Sequence, residues 1–308
     1  MADVNADHVL DRARPPVEGA ARMAATFLGD IANALDVFGL LGDDAGPAID
    51  ARDPEYIRST LPIITSICRT YFRGEVMGLE NIPDGPVLLV GNHSGGTLIA
   101  DTFVFGQAFY RFFGADRRFH QLAHDLVFAV PGVRAMLSRY GTIPASPENM
   151  REALARDAAL LVYPGGDHET YRPSWESSEI DFANRTGFVK LALELGTPIV
   201  PVVAIGGQET ALFLGQGRGL ARRLQLDRLL RLKVFPAQIG IPLGLTVLDL
   251  PLRMPMPAKI TVRVLPPIDL KGRLGTEPDI GDGYQMITQT MQEALDQLSD
   301  DRTLPILG

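Results

Sequence analysis

The chain has 308 residues, of which 46% are hydrophobic and 21% charged. This is the composition of a folded globular protein, long enough for one large α/β domain or two small ones. A net charge of −8 excludes a large nucleic-acid surface, which needs clustered Lys and Arg. The single cysteine, Cys68, excludes an intrachain disulfide framework and a multi-cysteine zinc site, and it fits a reducing compartment.

The first residues carry no basic region followed by an apolar stretch, so no signal peptide is expected. Residues 1–16 are polar. From Val17 to Leu41, Met23, Phe27, Ile31, Ala34, Leu35 and Phe38 share one face at helical period. The opposite face is not basic and offers little to anionic lipid. A helix packed against the main domain is therefore expected. Asp43 to Asp53 reads as a linker. Pro54 stands where a helix can start, and a second apolar helix is expected to run to Phe72, with Pro62 inside it.

Beyond residue 72, short β-rich runs alternate with helical patterns. Strands are predicted at Arg73–Leu79, Val87–Val90, Phe119–Ala123, Gly141–Ile143, Ala159–Tyr163, Ile199–Ile205 and Lys259–Leu265. Helices are predicted over Thr97–Phe113, Val133–Arg139, Glu148–Asp157, Phe188–Leu195 and Tyr284–Leu298. Ala211 to Leu214 reads as helical. The alternation predicts an α/β fold, a mostly parallel mixed sheet flanked by helices. The expected organisation is a polar tail and helical pair over 1–72, an α/β domain over 73–270, and a C-terminal helix and tail over 271–308. No window gives the roughly 18 uncharged apolar residues of a spanning helix. The nearest, Val234 to Leu250, is interrupted by Pro236, Pro242 and Asp249.

In such sheets, sites form at the C-terminal ends of strands. Three unusual loops fall there: Asn92 to Gly96, Pro144 to Ser146, and Pro164 to Glu169. In the first, Gly-Asn-His-Ser-Gly-Gly, Gly95 and Gly96 allow the chain to fold back. That would bring His93 beside Asp101, eight positions on. A carboxylate holding one ring nitrogen fixes the tautomer and leaves the other nitrogen as a general base, with Asp101 as orienter and not proton carrier. The ordinary alternative is a satisfied loop histidine. Ser94 lacks the Gly-x-Ser-x-Gly setting of a nucleophile elbow, since Asn92 stands two positions before it. His120 and His124 have i, i+4 spacing, but no Glu follows His120, and packing is preferred to a metal role. Gly215-x-Gly217-x-Gly219 lacks dinucleotide spacing and reads as a turn. Arg218 to Lys233 gathers basic residues in an otherwise acidic chain, either as a solvated face or as a surface for lipid or donor phosphates.

Four blocks in order carry a resemblance: His93 with Asp101, then Gly141-Thr-Ile-Pro-Ala-Ser146, then Tyr163-Pro-Gly-Gly166, then Pro198-Ile-Val-Pro-Val202. Together they resemble the glycerolipid (lysophospholipid/phosphatidate-type) acyltransferase family over roughly Gly78 to Gly206. The resemblance implies acyl transfer from acyl-CoA or acyl carrier protein to a lipid hydroxyl at a membrane surface. It implies His93 and Asp101 as the catalytic pair, and Ser94, Gly95, Gly96, Ser146, Gly165, Gly166, Asp167, Glu169 and Arg172 around the substrates. Backbone N–H groups of the glycine-rich loops would be donors to the oxyanion. No metal or other cofactor and no nucleic acid is implied. A cytoplasmic, peripheral location on the inner membrane face is expected.

Two departures qualify it. The aspartate comes three positions later than in the usual His-x4-Asp block. Gly165-Gly166-Asp167-His168 replaces the usual Glu-Gly-Thr-Arg. The longer first block looks like the branch containing neutral-lipid (diacylglycerol or long-chain alcohol) acyltransferases. The missing arginine favours a neutral or lysolipid acceptor unless Arg172 or Arg185 takes its place. A serine esterase and a non-catalytic lipid-binding protein are the alternatives from other classes.

Overall fold

A computed structural model describes residues 48–96, 99–129, 131–174, 178–215, 217, 223, 237–240, 244–246, 255–275, 278–302 and 304. The expected N-terminal helix over 17–41 lies outside them, as does most of the basic segment Arg218 to Lys233.

The centre is a seven-stranded sheet. In chain order its strands are β1 (Glu75–Met77), β2 (Val87–Gly91), β3 (Phe119–Ala123), β4 (Thr142–Pro144), β5 (Ala159–Val162) and β6 (Ile199–Ile205), with β10 (Thr261–Val264) arriving late in the chain. The spatial order is β1-β10-β6-β2-β5-β3-β4. β6, β2, β5, β3 and β4 are mutually parallel. β10 runs antiparallel to β6, and β1 runs parallel to β10. A mostly parallel mixed sheet is therefore what the chain builds.

β2 lies between β6 and β5, and all five of its residues are buried. Val87 and Leu89 face one core, Leu88 and Val90 the other. Each such side chain contributes about 2 kcal/mol by leaving water. A strand buried on both faces reads as a continuous apolar run and not as an alternation.

One face is covered by α1 (Pro54–Thr70) and α2 (Ala100–Phe113). Asp53 caps α1, accepting from the N–H groups of Glu55 and Tyr56 with Pro54 in the first turn. Ile57, Ile64 and Cys68, spaced at helical period, face the core, and the helix runs through Pro62. Phe105, Phe109 and Tyr110 of α2 pack against Phe119 of β3, Phe109 stacked on it and Tyr110 edge-on. The next helix, α3 (Pro131–Arg139), leads into β4. The opposite face is covered by α4 (Pro147–Ala155), α6 (Gly187–Leu195), α7 (Leu270–Leu274) and α8 (Ile280–Asp300). A four-residue turn of helix, α5 (Asp167–Thr170), follows β5.

The segment after β6 differs from expectation. Ala211 to Leu214 is not helical: β7 (Leu212–Gly215) pairs antiparallel with β8 (Ala237–Gly240), which pairs with β9 (Gly244–Thr246). The period is two. Leu212 and Leu214 are exposed while Phe213 between them is fully buried. Four apolar residues in a row carry no period of their own, so the pairing partner decided the outcome. No helix among the described residues is long and apolar enough to cross a membrane.

Candidate functional site

β2 ends at Gly91, and the next residue holds the turn in place. Asn92 is buried. Its Nδ2 donates to the carbonyl of Ala204 and its Oδ1 accepts from the N–H of Ala204, both at 2.8 Å. The amide side chain thus continues the ladder to β6 after the β2 backbone has left the sheet. It also meets the demand that buried backbone groups be paired.

The chain then reverses. Gly95 has φ +97, and a Cβ there would lie 2.6 Å from the carbonyl oxygen of Gly207. Only glycine fits both the conformation and the approach. The reversal brings His93 against the first turn of α2, where Nδ1 lies 4.0 Å from Oδ2 of Asp101. Nδ1 is buried and makes no hydrogen bond. The carboxylate accepts from the N–H of Thr102 at 2.7 Å and of Ser94 at 3.3 Å, with the Thr102 and Ser94 hydroxyls at 3.4 and 3.5 Å.

Burial disfavours the charged form of both groups. His93 is pushed down to about 3. The Asp101 carboxyl is pushed up to about 7, against the pull of its Thr102 and Ser94 donors. The imidazole is therefore neutral, the form a base needs. In the first turn of a helix, the dipole also favours the ionised aspartate.

The loop after β5 closes over the same point. The ring of Tyr163 stacks on His93 with centroids 4.1 Å apart and planes at 22°. Glu169 is fully buried. Its Oε2 accepts from the N–H of His93 at 3.2 Å, and its Oε1 accepts from Arg172 at 2.9 Å and from the N–H of Asp181 at 3.2 Å. Burial raises the Glu169 carboxyl to about 8, partly offset by Arg172. Arg172 is buried and also donates to the carbonyl of Glu179. Arg185 donates to the carbonyls of Pro164 and Gly165 and to Asp167, at 3.1, 2.8 and 2.7 Å.

The residues expected around the site thus divide. His93, Ser94, Gly95, Gly96, Asp101 and Glu169 come together. Asp167 and Gly165 belong to the loop braced by Arg185. Ser146, at the end of β4, caps α4 by accepting from the N–H of Asn149 at 3.1 Å. The glycine-loop N–H groups have acceptors within the protein: that of Gly95 goes to Gln208 Oε1 and that of Gly96 to the carbonyl of Thr170, each at 3.3 Å. A buried loop must satisfy its own N–H groups, so these two are engaged.

His120, in β3, places Nδ1 3.0 Å from the carbonyl of Gly141. On a strand it shares no helix face with His124. Asn92 and Tyr163 each open a block already chosen from the sequence, without a role assigned to them. Thr102 and Gln208 were not singled out, and Gln208 had no signal.

Between α1 and α2 lies an apolar trough of ≈ 210 Å³. It is lined by Ile64, Ile67, Cys68 and Phe72 at the end of α1 and its exit, by Ala100 and Phe103 of α2, by Met136 and by Pro255. Ala100 in its wall directly precedes Asp101.

Fold and site together define an α/β protein with a buried neutral histidine and a carboxylate at the strand ends, an arrangement able to take a proton from a hydroxyl. Residues 73–205 match the family model described as Acyltransferase. Over this stretch, under half of the chain, the sequence is similar to the acyltransferase family. An uncharacterised protein of Mycobacterium tuberculosis is 28% identical over 247 residues, covering 80% of this chain and 66% of its own length. The bovine "DGAT1/2-independent enzyme synthesizing storage lipids" is 32% identical over 145 residues, covering 47% of this chain and 42% of its own. The chain thus spans about two thirds of the mycobacterial relative and under half of the bovine one. The crystal structure of the 1-acyl-sn-glycerophosphate acyltransferase PlsC from Thermotoga maritima superposes with a TM-score of 0.49 at 17% identity, covering 79% of this chain and 82% of that one.

Proposed function

We propose that the protein is an O-acyltransferase that moves a fatty acyl group from acyl-CoA or acyl carrier protein to a hydroxyl of a glycerolipid or other lipid alcohol. The observation that carries this reading is the buried His93–Asp101 pair, together with an apolar trough whose wall includes Ala100, the residue before Asp101.

In the reaction, Nε2 of His93 takes the acceptor proton as the oxygen attacks the thioester carbonyl. The tetrahedral intermediate collapses with cleavage of the C–S bond, and the imidazolium returns the proton to the leaving thiolate. Ionised Asp101 stabilises the imidazolium at Nδ1 and fixes the tautomer. The acyl chain lies in the trough. Written this way, the chemistry needs no metal or redox group.

A neutral hydroxyl acceptor, with no phosphate beside it, suits the site better than a phosphorylated one. The two arginines nearest the glycine-rich loop are committed: Arg172 to Glu169, and Arg185 to loop carbonyls and Asp167. Asp167 would also repel a phosphate. The printed name of the bovine relative, an enzyme synthesizing storage lipids, supports the same side. Lipid substrates imply work at a membrane surface, with the protein peripheral on its cytoplasmic face. A serine esterase finds less support, because the Ser94 hydroxyl lies by Asp101 and no bond joins it to His93.

The test is a transfer assay with purified protein, liposomes and labelled palmitoyl-CoA. Diacylglycerol, a long-chain alcohol, lysophosphatidylcholine and lysophosphatidate are the acceptors, and His93→Ala is the control. Label reaching diacylglycerol or the alcohol, and lost in the variant, is the expected result. Transfer only to lysophosphatidate would overturn the acceptor assignment. Full activity in folded His93→Ala would overturn the mechanism.

A further inference from the structure

Tyr163 takes no part in the proton transfers of the reaction, yet its ring touches His93 and its hydroxyl reaches towards Asp101 through Thr102. Its ring lies over the imidazole of His93 at 4.1 Å and 22°. Its hydroxyl is 2.7 Å from Oγ1 of Thr102. The Thr102 N–H donates to Oδ1 of Asp101 at 2.7 Å, and the Thr102 hydroxyl stands 3.4 Å from the same oxygen. One side chain therefore holds the base by its face and reaches the acid through one hydroxyl.

The fold makes room for it. A Cβ at Gly91, the last residue of β2, would lie 2.6 Å from Cε1 and 2.9 Å from Cδ1 of Tyr163. The absent side chain at Gly91 is what lets the ring pass the strand and reach His93.

The pair it holds is open. Nδ1 of His93 is 4.0 Å from Asp101 Oδ2, beyond hydrogen-bond range, and has no other partner. Closing it requires the imidazole to move about 1 Å towards the carboxylate, as catalytic hydrogen bonds that are long in a free enzyme commonly do. A flat ring stacked at 22° permits a slide within the imidazole plane and resists tilting out of it. Offset stacking tolerates lateral displacement. Meanwhile the carboxylate is held still by Ser94 and Thr102, and Thr102 by the Tyr163 hydroxyl.

We propose that Tyr163 is a positioning residue for the transfer reaction: its ring is the plane on which His93 closes onto Asp101, and its hydroxyl, through Thr102, fixes the carboxylate that receives it. This rests on the assignment of His93 and Asp101 made above. The neighbouring charged groups among the described residues are Glu169, which accepts from the His93 N–H, and Arg172, paired with Glu169 on its far oxygen. Neither contacts the Tyr163 hydroxyl.

Three variants separate the two functions of the side chain. Tyr163→Phe keeps the ring and removes the hydroxyl. Thr102→Val breaks the same link from the other end. Tyr163→Leu removes the plane. In Tyr163→Phe, kcat should fall about tenfold with KM for donor and acceptor unchanged, the scale of one lost hydrogen bond between hydroxyls. The acid limb of its pH–rate profile should move to higher pH as the ionised carboxylate loses support. Thr102→Val should do the same, and the double variant should be no worse than either single one, because both cut one chain. Tyr163→Leu should lose at least a further tenfold in kcat. NMR of the imidazole nitrogens supplies a readout independent of turnover: the His93 signals should shift and broaden in Tyr163→Leu while the fold and the other histidine signals are retained.

Unchanged kcat, pH limb and His93 signals in folded Tyr163→Phe and Tyr163→Leu would overturn the proposal. So would a raised KM at unchanged kcat, which would make Tyr163 a substrate contact. Additive losses in the double variant would remove the link through Thr102. His93→Ala, measured alongside, distinguishes the failures: if it retains activity, the base assignment itself is wrong, whereas an inactive His93→Ala with unaffected Tyr163 variants sinks only the positioning function.

Discussion

The side chain of Asn92 bonds both the N–H and the carbonyl of Ala204, each at 2.8 Å, one residue after β2 has ended. This pair of hydrogen bonds anchors the turn that presents His93. Asn92→Ala leaves two buried backbone groups of β6 without partners. A loss of about 2–4 kcal/mol is expected, measured by urea denaturation, with kcat falling as His93 loses its anchor. A midpoint of unfolding equal to that of the natural protein would show that water replaces the amide at no cost.

Gly95 should tolerate no side chain. Gly95→Ala meets a φ of +97 and a Cβ contact of 2.6 Å with the Gly207 carbonyl. A destabilisation of roughly 2 kcal/mol or more is expected from strain and overpacking together. The turnover loss should exceed what that stability loss explains at low temperature, because the displaced segment carries His93. Activity per folded molecule, compared at 10 °C, separates the two effects.

The pH dependence of transfer should follow Asp101. Burial raises its carboxyl to about 7, and burial keeps His93 neutral down to about 3. Only the ionised carboxylate stabilises the imidazolium formed on proton transfer. A raised pKa therefore moves the acid limb upward: kcat/KM should climb about tenfold per pH unit below neutrality and level off above about 7. Asp101→Asn should be slow at every pH, without that limb. A flat profile from pH 5.5 to 8 in the natural protein would mean that Asp101 does not titrate in this way.

The trough makes a prediction about chain length. Met136 lines it from α3 and makes no hydrogen bond with His93 or Asp101. Met136→Trp should lower kcat/KM for palmitoyl-CoA by roughly tenfold relative to a medium-chain donor, the scale of losing one or two buried methylenes' worth of room. Equal losses on both donors would place the acyl chain elsewhere.

Much of the sheet was legible in the chain. β2, β5 and β6 are short apolar runs between turn-forming residues, and a strand buried on both faces leaves that signature. The residues directly after Ile205 were not legible, although β10 and α8 further along were. Ala211 to Leu214 carries no distinguishing period, and β7 forms because β8, more than twenty positions later, offers it an edge.

The sequence alone determined which residues could do chemistry. A histidine at a strand end, two glycines after it and an aspartate eight positions on are local facts, as are the strand-ending glycine blocks. Tertiary structure decided the partnerships. Glu169 lies 76 positions from His93, Asn92 lies 112 from Ala204, and Tyr163 lies 61 from Thr102. These contacts exist because parallel strands β5 and β6 flank β2 and deliver their C-terminal loops to one point. That order of strands follows from how helices on both faces bury the sheet, a cooperative property of the whole core that no local pattern encodes. It is also why Glu169 and Arg172, two charged residues in a loop that reads as polar and open to substrate, are buried against each other behind the histidine.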